Sequence, residues 1–199
     1  MRVIGITGGV GAGKSAILSY LEERYRAKII LADDVANELK EPGHSCYEPI
    51  VTLLGKGILM DDGSGEIDRK KMATAIFADK ALLQKVNEII HPAVKQEIIR
   101  RIEEAERSGQ YAYCFVEAAL LIEDHYETVV EEMWLIDTNQ EIRRERLKAN
   151  RGYSDEKVDA IMKSQMDRDC YMKHCRVCID NSGTVEEAFK QVDEAVSGL

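Results

Sequence analysis

The chain has 199 residues, a formal net charge of −9, 45% hydrophobic residues and 32% charged residues. Its length and composition predict one globular domain with a substantial core, and its acidic balance argues against nucleic acid or an anionic membrane as a partner. No segment approaches the run of about 20 apolar residues that spans a bilayer, and the N-terminus lacks the pattern of a secretory leader. Five cysteines in no regular framework are typical of reduced thiols. We therefore expect a cytoplasmic protein that is a monomer or a weak homo-oligomer.

Strands alternate with helices along the chain. Apolar runs rich in β-branched residues predict strands at 2–7, 28–32, 111–122, 131–137 and 176–180. Helical periodicity predicts helices at 14–27, 33–40, 140–152, 155–173 and 184–196. This alternation predicts a three-layer α/β fold with a parallel sheet of about five strands.

A long helical segment interrupts this alternation. The segment from about 60 to 108 has no strand pattern and is too long for one crossover, so we expect it to form a helical insert. Within it, His91 before Pro92 predicts either a break between two packed helices or a contact with a ligand. We expect a second special region, a mobile lid, from about 140 to 173.

The first predicted strand runs into the segment GGVGAGKS, residues 8–15. Its pattern Gly8-x4-Gly13-Lys14-Ser15, between a strand and a helix, is typical of a P-loop that binds the phosphates of a nucleoside triphosphate. Glycines let consecutive N–H groups turn into one concavity, and the helix adds the partial positive charge of its N-terminus. Lys14 would reach the outer phosphates, and the Ser15 hydroxyl would bind Mg²⁺. The predicted nucleotide-binding residues are Gly8, Gly11, Ala12, Gly13, Lys14, Ser15 and Ala16.

A bound triphosphate can drive a movement by hydrolysis or can be transferred to an acceptor. A switch GTPase needs an Asn-Lys-x-Asp motif after a later strand, and IDTNQE (136–141) in that kind of position lacks the Lys. The extra length of the chain instead suits an acceptor pocket and a lid that excludes water. We therefore favour a small-molecule kinase. The alternatives are a kinase with another nucleoside or nucleotide acceptor and a nucleotide-dependent switch or assembly ATPase.

Carboxylates follow two of the predicted strands, at the edge where parallel sheets bind ligands. Asp33 and Asp34 come directly after the second strand, where one can accept the proton of an acceptor hydroxyl and the other can cap the next helix. Glu117 lies near the end of the third strand, where an acid would help to hold Mg²⁺. Glu123 is the alternative to Glu117, and a structural role is equally open for either.

The predicted helix at 140–152 is unusually basic for an acidic protein. Its basic residues are Arg143, Arg144, Arg146, Lys148 and Arg151. Arg143 and Arg146 are three residues apart and share one helix face. An arginine that closes over the γ-phosphate from a lid would neutralise charge in the transition state. We expect at least one of these residues to act in this way and the others to be solvated and paired with Glu141 and Glu145.

Several segments, taken in their order, resemble the dephospho-coenzyme A kinase family over nearly the whole chain. They are GITGGVGAGKS (5–15), ADDVANELKEPG (32–43), GEIDRKKMATAIF (65–77), IIHP (89–92), LLIE (120–123), RRERLKANRGYS (143–154) and VCIDNSG (177–183). Many proteins share the phosphate loop, whereas the ordered combination is specific. The resemblance implies a P-loop kinase that transfers the γ-phosphate of ATP to the ribose 3′-hydroxyl of 3′-dephospho-coenzyme A, the last step of coenzyme A synthesis.

The resemblance also implies roles for individual residues. It makes Asp33 the catalytic carboxylate that also contacts the acceptor, and Arg146 the catalytic arginine of the lid, beside Lys14 of the loop. The other matched residues are Arg69, Phe77 and His91 in the acceptor-binding insert and Asn181 near the ATP base. The chain departs from the family at Leu31, where an acid is usual, and at Asn37, where an arginine is usual.

Overall fold

The structure is a computed structural model that describes residues 1–77 and 79–199. The chain divides into two compact units. The first, which we call the sheet unit, comprises Met1–Ile30 and Ile102–Leu199, and the second, the helical unit, comprises Leu31–Arg101.

Five strands and a larger number of helices make up the described chain. The strands are β1 (Arg2–Thr7), β2 (Lys28–Leu31), β3 (Tyr113–Glu117), β4 (Glu132–Asp137) and β5 (Val177–Asp180). The α-helices are α1 (Lys14–Tyr25), α2 (Ala32–Glu38), α3 (Tyr47–Leu54), α4 (Arg69–Phe77), α5 (Lys80–Ser108), α6 (Gln140–Arg151), α7 (Asp155–Ser164), α8 (Arg168–His174) and α9 (Val185–Ser197). Short 3₁₀ helices cover Lys56–Ile58 and Tyr126–Thr128.

The sheet has the strand order β2-β3-β1-β4-β5, and β1 pairs in parallel with both β3 and β4. In its centre the strands are apolar on both faces, as expected for a parallel sheet covered by helices. Phe115 and Trp134 are fully buried and meet edge to face, with ring centroids 5.5 Å apart. The predicted α/β P-loop fold with a five-stranded parallel sheet is confirmed. The carboxyl ends of β1, β3 and β4 therefore share one edge of the sheet.

Two predicted element bounds are wrong. β3 ends at Glu117 and not at residue 122, because the apolar residues that follow form a turn, in which Leu121 and Ile122 are buried and Leu120 is exposed. The helix predicted over 155–173 is two helices, α7 and α8. The break has a local cause, since Gln165 and Asp167 are extended and the Asp167 side chain accepts a hydrogen bond from the N–H of Cys170 to cap α8.

Helix α5 is continuous through Pro92, so the predicted break at His91-Pro92 is wrong. A proline inside a helix costs about 3 kcal/mol through its missing N–H and its steric clash. Burial of Val86, Val94 and Ile98 along the same helix offsets that cost. Although α5 has 29 residues, neither it nor any other described helix is apolar enough over a sufficient length to cross a membrane.

Candidate active site

The phosphate loop connects β1 to α1, and its backbone needs glycine. Gly13 has φ of 87°, in the left-handed region that side chains disfavour. A Cβ at this position would also overlap the side-chain amide of Asn181. Gly13 is the N-cap of α1 and gives no side-chain cap, so within the described chain the N–H groups of Lys14 and Ser15 remain open at the mouth of the loop, whereas the N–H of Ala16 donates to the Gly13 carbonyl at 3.2 Å.

Hydrogen bonds to the loop carbonyls fix the orientation of its peptides. The Gly8 carbonyl accepts from Lys14 Nζ at 2.8 Å. The Ala12 carbonyl accepts from Thr138 Oγ1 at 3.0 Å and from Asn181 Nδ2 at 2.8 Å. In a planar trans peptide the N–H points away from the C=O, so each fixed carbonyl also fixes the N–H of the following residue. These contacts preorganise the donors of the loop.

Lys14 also contacts the candidate acid on β3. Its Nζ lies 3.4 Å from Glu117 Oε1, and each side chain is only 15% exposed. Glu123, the alternative acid, is exposed beyond the strand. Ser15 is exposed in the first turn of α1, and within the described chain its hydroxyl has no hydrogen-bond partner. A cation (Lys14), a carboxylate (Glu117 at the end of β3) and the free hydroxyl of Ser15 therefore lie at or beside the loop.

Arg146 reaches the same loop from α6. Its Nη2 donates to the Asn181 carbonyl at 3.0 Å. Its Nη1 is buried and, within the described part of the chain, has no hydrogen-bond partner. A Cβ on Gly13 would lie 3.4 Å from that nitrogen, so the unused donor is beside the loop. An unpaired buried donor is costly, and an anion bound there would remove the cost.

The last residue of β4 and the two residues that follow it each make a structural contact. Asp137 forms an ion pair with Arg168 at 2.6 Å, and Thr138 binds the phosphate loop. The Asn139 side chain accepts from the N–H of Glu141 at 2.8 Å and caps α6. This position, where a GTPase would read guanine, holds the loop and the neighbouring helices together.

In the helical unit, Asp33 and Asp34 lie in the first turn of α2 and are both exposed. Negative charge is favourable there because of the helix dipole. The N-cap residue is Leu31, so the capping role predicted for one of the two acids is wrong. The Asp33 side chain makes no hydrogen bond or ion pair within the described chain, which leaves its carboxylate available.

A cavity of about 130 Å³ lies in the helical unit beside α2 and α4. Its lining includes Asn37, Lys40 and Arg69, with the carboxylates Glu41 and Glu66. Lys40 is half-buried, and the described residues give it no hydrogen bond or ion pair. Burial first, and the nearby charge of Arg69 second, lower the pKa of Lys40, whereas Asp33 raises it. The cavity thus presents two cations.

The other residues predicted for the acceptor lie apart from this cavity. His91 lines an open groove of about 540 Å³ along α5, together with Leu83 and Asn87. Phe77 is 85% exposed at the end of α4 and lines neither space. The structure therefore does not bring Arg69, Phe77 and His91 into one cavity.

Sequence reasoning missed two contributors to these sites. Lys40 follows Asp33 by seven residues, two helical turns, and this spacing was the available signal. Thr138 had no signal, because a threonine after a strand is common and its contact with the loop spans 126 residues of sequence.

Comparison with known proteins shows which protein family the chain resembles in sequence. The family model described as "Dephospho-CoA kinase" matches residues 2–187. The dephospho-CoA kinase of Geobacter sulfurreducens is 37% identical over 98% of this chain and 96% of its own length. That of Carboxydothermus hydrogenoformans is 35% identical over 96% of this chain and 91% of its own length.

Solved structures agree in fold. A crystal structure of a Thermus thermophilus protein matches with a TM-score of 0.82 and 25% identity, and covers 100% of this chain and 97% of that one. A shikimate kinase from Acinetobacter baumannii shares only the fold, with a TM-score of 0.57 and 13% identity over 100% of this chain and 94% of that one. By its matched length and its relatives, the chain belongs to the dephospho-CoA kinase family.

Proposed function

We propose that this chain transfers the γ-phosphate of ATP to the ribose 3′-hydroxyl of 3′-dephospho-coenzyme A and releases ADP and coenzyme A. Family membership supports the acceptor, and the preorganised loop supports binding of the triphosphate. One observation carries the mechanism: the buried Nη1 of Arg146, without a partner in the described chain, lies beside Gly13 of that loop.

The loop holds the triphosphate. Its backbone N–H groups and the N-terminus of α1 bind phosphate oxygens, and Lys14 exchanges the Gly8 carbonyl or Glu117 for a phosphate oxygen. Asn181 supports the loop by its hydrogen bond to Ala12, whether or not it also approaches the base.

The residues beside the loop suit Mg²⁺. Oxygen ligands are what this cation prefers, and the free hydroxyl of Ser15 and the carboxylate of Glu117 supply them. Ser15 would bind the cation directly and Glu117 would hold it through water. The cation, when bound, neutralises charge on the phosphate oxygens.

The chemical step is an in-line displacement. The acceptor oxygen forms a bond to the γ-phosphorus while the bond from that phosphorus to the β,γ-bridging oxygen breaks, and ADP leaves with the electron pair. Asp33 accepts the proton of the hydroxyl. Arg146, on the lid that we expect over about 140–173, donates from Nη1 to the transferring group.

The helical unit binds the acceptor. Lys40 and Arg69 present two cations at one cavity, which suits the diphosphate of dephospho-coenzyme A. Phe77, exposed at the end of α4, and His91, in a separate groove along α5, would contact other parts of the acceptor. Substrate selection would then involve Arg69 in the expected helical insert over about 60–108 and Lys40, which precedes that insert.

The decisive measurement is ADP release by the purified chain with ATP and Mg²⁺. Dephospho-coenzyme A, AMP, adenosine and pantetheine phosphate are compared as acceptors, and the product is identified by phosphorus NMR. We expect ADP and a new phosphomonoester in equal amounts with dephospho-coenzyme A alone.

The other outcomes are equally informative. Equal ADP release in every tube would make water the acceptor and favour an ATPase. Transfer to AMP or adenosine would favour a nucleotide or nucleoside kinase. A Lys14→Met variant, purified in the same way, measures any activity that comes from a contaminant.

A further inference from the structure

Arg143 makes two hydrogen bonds that none of its neighbours on α6 makes. Its Nε donates to the Val10 carbonyl of the phosphate loop at 3.0 Å. Its Nη2 donates to Gln165 Oε1, at the end of α7. The guanidinium lies so close to the loop that a Cβ on Gly9 would overlap it. Arg143 therefore links the loop to the connection between α7 and α8.

The charge of Arg143 is not neutralised by this arrangement. Both acceptors are uncharged oxygens, and Arg143 forms no ion pair with any described residue. The groups that face it are Tyr171 and Asp137, and Asp137 is already paired with Arg168. Burial lowers the pKa of Arg143. No ion pair therefore explains why the Arg143 guanidinium lies half-buried at this position.

The adjacent Arg144 shows the ordinary alternative. It forms ion pairs with Asp155 and Asp159 on α7 and is solvated. Both arginines connect α6 to α7, but of the two only Arg143 also donates a hydrogen bond to the phosphate loop.

The contact with Val10 controls a donor of the loop. The Val10 carbonyl and the Gly11 N–H belong to one planar peptide and point in opposite directions. A hydrogen bond that holds the carbonyl toward Arg143 therefore also fixes the opposite direction for the N–H of Gly11, a residue predicted to bind the nucleotide. Gly11 has φ of 84°, and a glycine adopts positive and negative φ with similar ease. The backbone of Gly11 therefore does not by itself fix the orientation of this peptide.

We infer that Arg143 is a positioning residue for the triphosphate: it fixes the Val10–Gly11 peptide, and Gln165 fixes Arg143. The inference rests on the proposed nucleotide site. Arg143 acts through the loop and not on the reacting atoms, so its effect is on nucleotide affinity and not on the chemical step. Gln165 acts only through Arg143.

The test measures binding of the non-hydrolysable analogue AMP-PNP with Mg²⁺ by calorimetry. Arg143→Met removes both donors at similar length, and we expect it to raise the Kd about tenfold, as for loss of one charged hydrogen bond. Arg143→Lys keeps the charge but lacks the fork that reaches two acceptors, so we expect it to resemble Arg143→Met. Arg144→Met is the matched control and should bind like the parent.

A double-mutant cycle of Arg143 and Gln165 distinguishes a positioning role of Arg143 from a general disturbance of the fold. We expect Gln165→Met to raise the Kd about threefold, and the double variant to be no weaker than Arg143→Met, because Gln165 has no separate route to the loop. In steady state the KM for ATP should rise in the single variants while kcat at saturating ATP and the KM for the acceptor stay within about twofold of the parent.

Several results would overturn the inference. They are parent-like binding by Arg143→Lys, additive effects of Arg143 and Gln165, or an equal loss of affinity for adenosine, which has no phosphates. If Arg143→Met does not fold, the Lys variant and Gln165→Met carry the same cycle. A parent chain that binds AMP-PNP but transfers no phosphate to dephospho-coenzyme A would contradict the proposed function and leave this inference standing.

Discussion

The phosphate loop and the helical unit differ in whether their polar side chains have partners within the protein. At the loop, Lys14, Thr138 and Asn181 each have a protein partner, and Arg146 keeps one unused donor. In the helical unit, Asp33 and Lys40 have no hydrogen bond or ion pair to any described side chain. We infer that the loop is ready for ATP before it arrives, whereas the acceptor groups of the helical unit acquire partners only from the acceptor. Changes to the side chains that hold the loop should therefore alter structure and affinity together, whereas changes to the groups left unpaired among the described residues, Asp33, Lys40 and the unused donor of Arg146, should alter catalysis or acceptor binding alone.

The largest expected effect is at Asp33. Asp33→Asn should lower kcat by about 10²–10⁴-fold, because the variant cannot accept the hydroxyl proton. The affinity for AMP-PNP should not change. Asp34→Asn is the matched control, since both acids are exposed in the same turn, and it should retain nearly full activity. Equal losses in the two variants would contradict the assignment of the base to Asp33.

At the loop, Arg146→Lys should lower kcat by about 10–100-fold, because lysine keeps the charge but cannot hold Asn181 and a phosphate oxygen at once. Its Kd for AMP-PNP should change by less than about threefold, in contrast to Arg143→Lys. Single-turnover transfer measures the chemical step directly. A variant that lost affinity and kept kcat would show that Arg146 supports the loop like Arg143.

The sequence predicted the phosphate loop better than the contacts of α6, for a physical reason. A phosphate cradle requires glycines at tight turns, a lysine and a hydroxyl at fixed spacing, so residues 8–15 identify it. Arg143 and Arg146 share a helix face, and spacing alone cannot tell which one binds a loop carbonyl. That difference depends on Gln165, whose position follows from the break between α7 and α8. The break was missed because its cap, Asp167, sits inside a run of helical periodicity.

In the helical unit the sequence predicted elements better than environments. The pattern predicted helix over most of 60–108, but Pro92 lies within α5 because packing outweighs its local preference. The resemblance pointed to Arg69, while Lys40 was missed because the two share a cavity although they are more than twenty residues apart in the sequence. Although position 37 holds an asparagine instead of an arginine, the cavity still has two cations, Lys40 and Arg69.

Lys40→Gln should raise the KM for dephospho-coenzyme A about tenfold, with little change in kcat or in the KM for ATP. Because its pKa is lowered, Lys40 loses its charge at a lower pH than an ordinary lysine. The contribution to acceptor binding is thus present below that pKa and lost as pH rises through it. The parent KM should rise with pH in the alkaline range, and the KM of the variant should not.

Lys56→Gln, in an exposed 3₁₀ helix of the same unit, is the control and should behave like the parent. A pH dependence that persists in Lys40→Gln would assign the titration to another group.

The smallest expected effect concerns stability and not turnover. Glu97 on α5 accepts hydrogen bonds from Arg100 and Arg101, and Arg101 also pairs with Glu38 on α2. The bonds from Arg100 first, opposed by partial burial, lower the pKa of Glu97 from 4.5 to about 2. A carboxyl with a lowered pKa stabilises the folded state above its unfolded pKa and loses that contribution as pH falls from 4.5 toward 2.

Glu97→Gln should therefore lower the free energy of unfolding by about 1 kcal/mol near pH 7, after allowance for solvent screening, and by less near about pH 3.5. Urea unfolding of the full chain, followed by circular dichroism at both pH values, gives the difference. Glu103→Gln, at an exposed position of the same helix, should be close to neutral at either pH. A loss that stays constant between the two pH values would mean that Glu97 stabilises by packing and not by charge. In that case the charge of Glu97 would contribute nothing to the stability of the helical unit, and its ion pairs with Arg100 and Arg101 could not be counted among the interactions that stabilise the fold.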